Sequence, residues 1–198
     1  MNIKEIEEQV KNNPLSKEEC KAQFVEKTKE LNLKHSFNFD EAWEIGQEIK
    51  KRNTFRNKIT EFQENLSKSD LALSKEQLEK LNPVKHSFAD GCYIREIFNP
   101  ANELLVTKIH KKEHPFFLLK GEMSILTEDG IQHLSAPYHS ITKPGTKRII
   151  YTHTDCVFVT IHATNKTDIK EIEKDVIAEN YNDPEISLQE IEKLTNKK

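Results

Sequence analysis

From residue 91 onward the hydrophobic period of this chain is two, and that alternation confines it to a fold built of short strands. Cys92–Ile97, Glu103–His110, Pro115–Leu119, Glu122–Glu128, Ile131–Ser135, His139–Thr142, Lys147–His153 and Cys156–His162 give eight strand candidates. Between them fall the residues that turns require: Asn99-Pro100, Lys120-Gly121, Asp129-Gly130, Ala136-Pro137, Pro144-Gly145 and Thr154-Asp155. Strands of this number and spacing predict a double-sheet jelly roll.

Before residue 85 the pattern is helical. Ile3, Ile6 and Val10 share one face of a short helix that Asn12-Asn13-Pro14 ends. Ser16 with Glu19 forms a capping-box pattern and starts a helix bearing Cys20, Phe24, Thr28 and Leu31. Asn38 to Asp40 caps a third helix carrying Ala42, Trp43, Ile45 and Ile49. Phe55, Ile59, Phe62 and Leu66 mark a fourth, and Ser74 with Gln77 caps a fifth before Asn82-Pro83. After the strands, Ile169 to Ala178 reads as an amphipathic helix, and Ser187 to Leu194 as a last helical stretch. The expected organisation is a helical module or oligomerisation arm over 1–82, a β-barrel over 83–165 and a helical tail over 166–198.

Charge narrows the function classes. Thirty Lys and Arg stand against 33 Asp and Glu, so a net charge of −3 gives no global drive toward nucleic acid or membrane. The basic run Lys50, Lys51, Arg52, Arg56 and Lys58 is flanked by acids and reads as a solvated helix face. Trp43 reads as core or as an interface anchor. Three cysteines without CxxC spacing, Cys20, Cys92 and Cys156, fit free thiols in a reducing compartment. No apolar leader stands at the N-terminus and no run reaches the about 18 apolar residues of a membrane helix, so a cytoplasmic protein is expected. No GxSxG, HExxH, P-loop or GxGxxG motif is present.

The stretches KIHKKEHPFFLLKGEMSILTEDG, AP followed by KPGTKR, TIHAT and a TDIKEIE helix carry a family likeness. Over residues 88–164 the chain resembles the cupin fold, most nearly a small cupin-like group associated with phage and prophage genomes. The resemblance implies a mainly β, cupin-like jelly-roll barrel with an α-helical N-terminal segment and C-terminal helices. In metal-binding cupins, a His-x-His pair and a Glu seven residues before a Gly converge on a divalent metal with a His three residues after Pro-x-Gly. Counted from Gly121 and Gly145, those positions here hold Lys108, His110, His114 and Arg148. Cations thus stand at two ligand positions and an imidazole at the carboxylate's.

Parity puts Lys108 and His110 on one strand face and His114, Phe116 and Leu118 on one face of the next. Three readings of this constellation stay open. His110 and His114 belong to a metal site with other partners; or Lys108, His110, His114 and Arg148 bind a small anion without metal; or the site is a relic. His162, His153 and His133 could complete a metal set, with His162 placed equally well inside the barrel or on its rim. Tyr138, His139 and Tyr151 could line a barrel mouth, and Cys156 shows no cationic neighbour that would make it a nucleophile.

The expected function is a nonenzymatic binding or oligomerisation protein, phage-encoded, with a cationic barrel pocket, more readily without a metal than with one. Its rivals are a metal-dependent isomerase or dioxygenase acting on a small polar metabolite, and a protein that sequesters a small anion or nucleotide. The resemblance implies a homo-oligomer, most simply a dimer. A protein partner could bind the N-terminal helices, and neither nucleic acid nor membrane is expected.

Overall fold

The structure, a computed structural model, describes residues 16–30 and 38–186. The helices expected around Ile3–Val10 and over Ser187–Leu194, and Leu31 of the second helix, lie outside the described residues. Two compact units divide between Lys50 and Lys51; the change from helix to strand comes later, after residue 82. Among the described residues no helix is long and apolar enough to cross a membrane.

In the first unit, α1 (Lys17–Glu30) opens on the expected box: the Glu19 amide donates to Ser16 Oγ, and the Ser16 amide to the Glu19 carboxylate at 2.8 Å. Lys17 bridges Asp40 (3.3 Å) and Glu44 (2.9 Å), and Lys21 pairs with Asp40. Phe24 packs on Phe39, whose ring stacks on Trp43 one helical turn away. Such exposed ion pairs contribute little each, so the aromatic contacts give the unit its specificity.

The third and fourth expected helices are one element, α2 (Phe39–Ser67). No proline lies between Ile49 and Phe55, and Lys-Lys-Arg are good helix formers, so nothing there stops propagation. Arg56 departs from the solvated-face expectation: it is buried, and its guanidinium lies 4.5 Å from the Tyr181 ring centre. The short α3 (Lys75–Leu81) carries the full Ser74/Gln77 capping box.

The rest of the second unit is built on two antiparallel sheets arranged as a jelly roll. One sheet has five strands in the order β1 (Val84–Ala89), β2 (Cys92–Asn99), β10 (Cys156–Ala163), β5 (His114–Lys120), β8 (Tyr138–Thr142). The other runs β3 (Leu104–Val106), β9 (Ile149–Thr152), β6 (Glu122–Thr127), β7 (Gly130–Ser135). Every pairing is antiparallel. The core lies between them: Phe116, Leu118 and Phe158 from the first sheet meet Met123, Ile125, Leu134 and Ile150 from the second. Alternation puts each of these on an inward face. The tail adds α4 (Ile169–Val176), which buries Ile172 and Val176 against Tyr93. Its expected last residues instead form β11 (Ile177–Ala178), paired with β4 (Ile109–His110).

Gly121 shows how tightly the sheets close. Its φ is +89°, and a Cβ there would collide with the Asp155 carbonyl and lie 2.7 Å from Cys156 Sγ. Gly130, at φ +115°, faces open space. Gly121→Ala should therefore cost about 3 kcal/mol or more, and Gly130→Ala about 1 kcal/mol from backbone strain alone. Urea denaturation of both variants checks this; equal losses would contradict the close approach.

Candidate metal centre

Three histidines from three strands meet inside the barrel: His110 of β4, His114 of β5 and His162 of β10. One nitrogen of each lies within 4.8 Å of the others. Ring centroids are 4.3 Å apart for His110–His114, 4.4 Å for His114–His162 and 5.9 Å for His110–His162.

Each position has a local cause. His114 opens β5, and its parity with Phe116 and Leu118 turns it inward, as the alternating burial of that strand shows. Thr160 faces Phe116 and Phe158 faces Leu118 across the β10–β5 ladder, so His162, two residues beyond Thr160, arrives beside His114. His162 stacks on Tyr93, its β2 partner, and its Nε2 lies 3.2 Å from Thr160 Oγ1. His110 is clamped by the Pro144-Gly145 turn: its carbonyl accepts from the Gly145 amide at 2.8 Å, and its amide donates to the Thr146 carbonyl at 3.3 Å.

Protonation follows from the partners. His114 Nδ1 lies 3.1 Å from the Lys112 carbonyl, which can only accept, so Nδ1 carries the hydrogen and Nε2 keeps its lone pair. That Nε2 is buried without a hydrogen-bond partner, and so is Nδ1 of His110. Burial first, then His114, His162 and two arginines, push His110 down to about 2. Burial, then His114 and Arg95, push His162 down to about 4, and burial lowers His114 against the Lys112 bond. At neutral pH all three are neutral imidazoles, the form that ligates metal.

Of the four positions singled out in the sequence, the structure brings together His110, His114 and Arg148. Arg148 is buried, donates to Thr142 Oγ1 at 2.7 Å and lies 5.0 Å from the Phe116 ring centre. Thr142 pairs with His114 across β8–β5, which holds the guanidinium next to the histidines.

Lys108 is the correction. It is exposed, and its ammonium pairs with Glu173 of α4 at 3.0 Å. The expected strand Glu103–His110 is interrupted at Thr107 and Lys108, which belong to neither β3 nor β4. Thr107 turns its hydroxyl to accept from the Arg148 amide at 3.0 Å, so parity does not carry through the break.

The residue that sequence reasoning left undecided is His162. Its usable signal was the alternation Phe158, Thr160, His162 on the strand next to β5. Tyr138 packs against the core and Phe116. His139 is exposed and stacks on Phe117, and Tyr151 donates to Asn102 Oδ1 outside the triad. His133 and His153 pair with each other, ring centroids 5.0 Å apart, both exposed and not among the three converging histidines.

No family model and no curated protein sequence matches the chain. Solved structures match at low identity. A cupin-2 domain containing protein from Shewanella frigidimarina is 12% identical at a TM-score of 0.36, covering 52% of this chain and 92% of that one. An ectoine synthase from P. lautus is 9% identical at 0.40, covering 48% and 72%. An HTH_3 family transcriptional regulator from Vibrio cholerae is 18% identical at 0.37; the match covers 43% of this chain and 52% of the regulator's length. The jelly-roll assignment rests on the strand order and register above.

The depressed histidines give a pH signature. In the metal-free protein the unfolded chain takes a proton on each near pH 6.5 while the folded one does not, so stability falls as pH drops below that value. For His162 the loss runs from about pH 6.5 down to about 4, at about 1.4 kcal/mol per pH unit. Comparing urea midpoints at pH 7.5 and 5.0 should show that His162→Gln flattens this dependence. An unchanged slope would place the imidazole in solvent.

Proposed function

We propose that the barrel is a metal-dependent site for a small polar metabolite, holding one divalent transition-metal ion on His110, His114 and His162. The observation that carries this is the convergence of three neutral imidazoles with two buried, partnerless nitrogens. Leaving such groups unsatisfied costs free energy in a fold, and an ion that accepts their lone pairs removes the cost.

The donor set fits an imidazole-preferring metal such as Zn, Ni, Co or Fe better than Mg or Ca, which require oxygen. Nitrogens about 2.1 Å from one ion stand about 3.4 Å apart in a tetrahedral site, so binding draws the rings together slightly. Three protein ligands leave a position for substrate, and the ion would supply Lewis acidity there. His114 is oriented for this by the Lys112 carbonyl on its far nitrogen and His162 by its stack on Tyr93. Arg148 supplies a fixed positive charge beside the centre. An isomerase or dioxygenase acting on a small polar metabolite is the reaction class this arrangement serves.

A nonenzymatic oligomerising barrel, phage-encoded or otherwise, draws support from Leu119, Ile141 and Ile131, apolar strand residues left exposed. It gives no account of the orphaned imidazole nitrogens, and so ranks second.

The test is metal retention. Protein equilibrated with Co²⁺, Ni²⁺, Zn²⁺ or Fe²⁺ and then desalted should keep about one ion per chain. His110→Ala, His114→Ala and His162→Ala should each weaken it by more than the about 10–100-fold seen for outer-shell partners. Elemental analysis and the visible spectrum of the cobalt form read this directly. Loss of every ion on desalting, or full retention in His162→Ala, would sink the proposal.

A further inference from the structure

A cavity of about 220 Å³ opens in the second unit, with Arg148 and the core residues Phe116 and Ile125 in its wall. Its lining is unusual in charge. Lys147 and Arg148, adjacent in sequence, both face it, and each is more than nine-tenths buried, at 8% and 6% exposure. Among the described residues neither meets a carboxylate. Lys147 donates to the side-chain oxygen of Gln63 on α2, and Arg148 to Thr142. Both partners are neutral, so among the described residues two cationic side chains are held out of water without a counter-ion.

Two adjacent buried cations repel each other and lose hydration, and such charges are held in proteins by a partner of opposite sign. Two carboxylates, Glu128 and Asp129, also line the cavity, one half-buried and the other exposed. Asp129 is exposed in the β6–β7 turn, and Glu128 lies 3.8 Å from Arg52. Phe116 and Ile125 add apolar wall, and Lys143 is an exposed cation at the mouth. The inner end therefore offers a guanidinium, an ammonium and an apolar surface, which suit a carboxylate or phosphate group on a small organic body.

We propose that this cavity binds a small organic anion, its carboxylate or phosphate group seated on Lys147 and Arg148. This goes beyond the metal centre, which the histidines carry on their own. Arg148 is the side chain the two share, since it lines the cavity and its charge acts on His110 and His114, whereas none of the three histidines lines the cavity. The cavity's size limits the ligand to a few carbon atoms, smaller than the about 300 Å³ at which drug-sized pockets begin.

Inorganic phosphate and succinate are the probes, applied to the full chain in chelator-treated buffer so that no metal contributes. Calorimetry and thermal melting should show binding of at least one of them and a rise in Tm. The binding should weaken by about ten-fold or more in Lys147→Met and in Arg148→Met, the loss of one charge-assisted contact each. It should persist in His114→Ala, which removes a metal ligand and leaves the cavity lining alone. Melting without ligand gives a second readout. Removing one of two unpaired buried charges should leave the Tm unchanged or raise it, whereas a purely structural lysine or arginine would lower it. Wild-type protein indifferent to both anions, or binding that both Met variants retain, would overturn the proposal. Anion binding without metal retention would overturn the metal centre alone, and the reverse would overturn this site alone.

Discussion

The interior is organised by the backbone pairing between residues 107–110 and the Pro144-Gly145 turn. Gly145 donates to the His110 carbonyl, His110 to the Thr146 carbonyl, Thr107 to the Arg148 carbonyl, and Arg148 to the Thr107 hydroxyl. Four hydrogen bonds thus fix a histidine and an arginine at one end of the barrel. Gly145 has φ +77°, a conformation that few other residues adopt readily. The turn needs that glycine, and the positions of His110 and Arg148 follow from the turn.

Arg148 links two features by its charge, which acts on His110 and His114 and borders the cavity. The three histidines are kept neutral by burial and by each other. The cavity has Lys147 and Arg148 together in its wall. Burial lowers Arg148 only to about 10, so it remains charged at neutral pH. A dication at the histidines meets like charge from Arg148, and an anion seated on Arg148 offsets that charge. Metal and anion should therefore favour each other through one side chain, with a coupling carried by electrostatics alone.

Alternation and turn residues made most of the barrel legible in the sequence, because every core strand has one face in the interior and one outside. The strand β1 was not legible. In Val84–Ala89 only Val84 and Ser87 are partly buried, in a burial pattern that is not period two; the strand is held by its ladder to β2. Strand β11 was hidden at the end of a strongly amphipathic helix, where Ile177 and Ala178 continue the apolar pattern after the backbone has become extended. At the site, His114 followed from parity, whereas Lys108 did not, because the Thr107 hydroxyl took over a backbone bond and the strand broke. His162 required the β10–β5 pairing, which no local pattern contains. Lys147 sits one residue from Arg148, yet both are buried, and alternation along a single strand cannot express that.

Cys156 has a consequence for which metals the barrel can hold. Its thiol is fully buried against Gly121, within 3.3 Å of the Glu122 carbonyl and 3.2 Å of the Thr154 carbonyl, and burial raises its pKa. Thiolate is therefore scarce, and the sulfur lies six residues from His162 along β10, about 20 Å of extended chain. Among the described residues the cluster that can hold a metal is three histidines without a cysteine, so a thiophilic ion such as Cu(I) finds no sulfur in that ligand set. Selectivity falls to nitrogen donors alone, and the barrel's one fully enclosed cysteine is insulated from the chemistry at its other end.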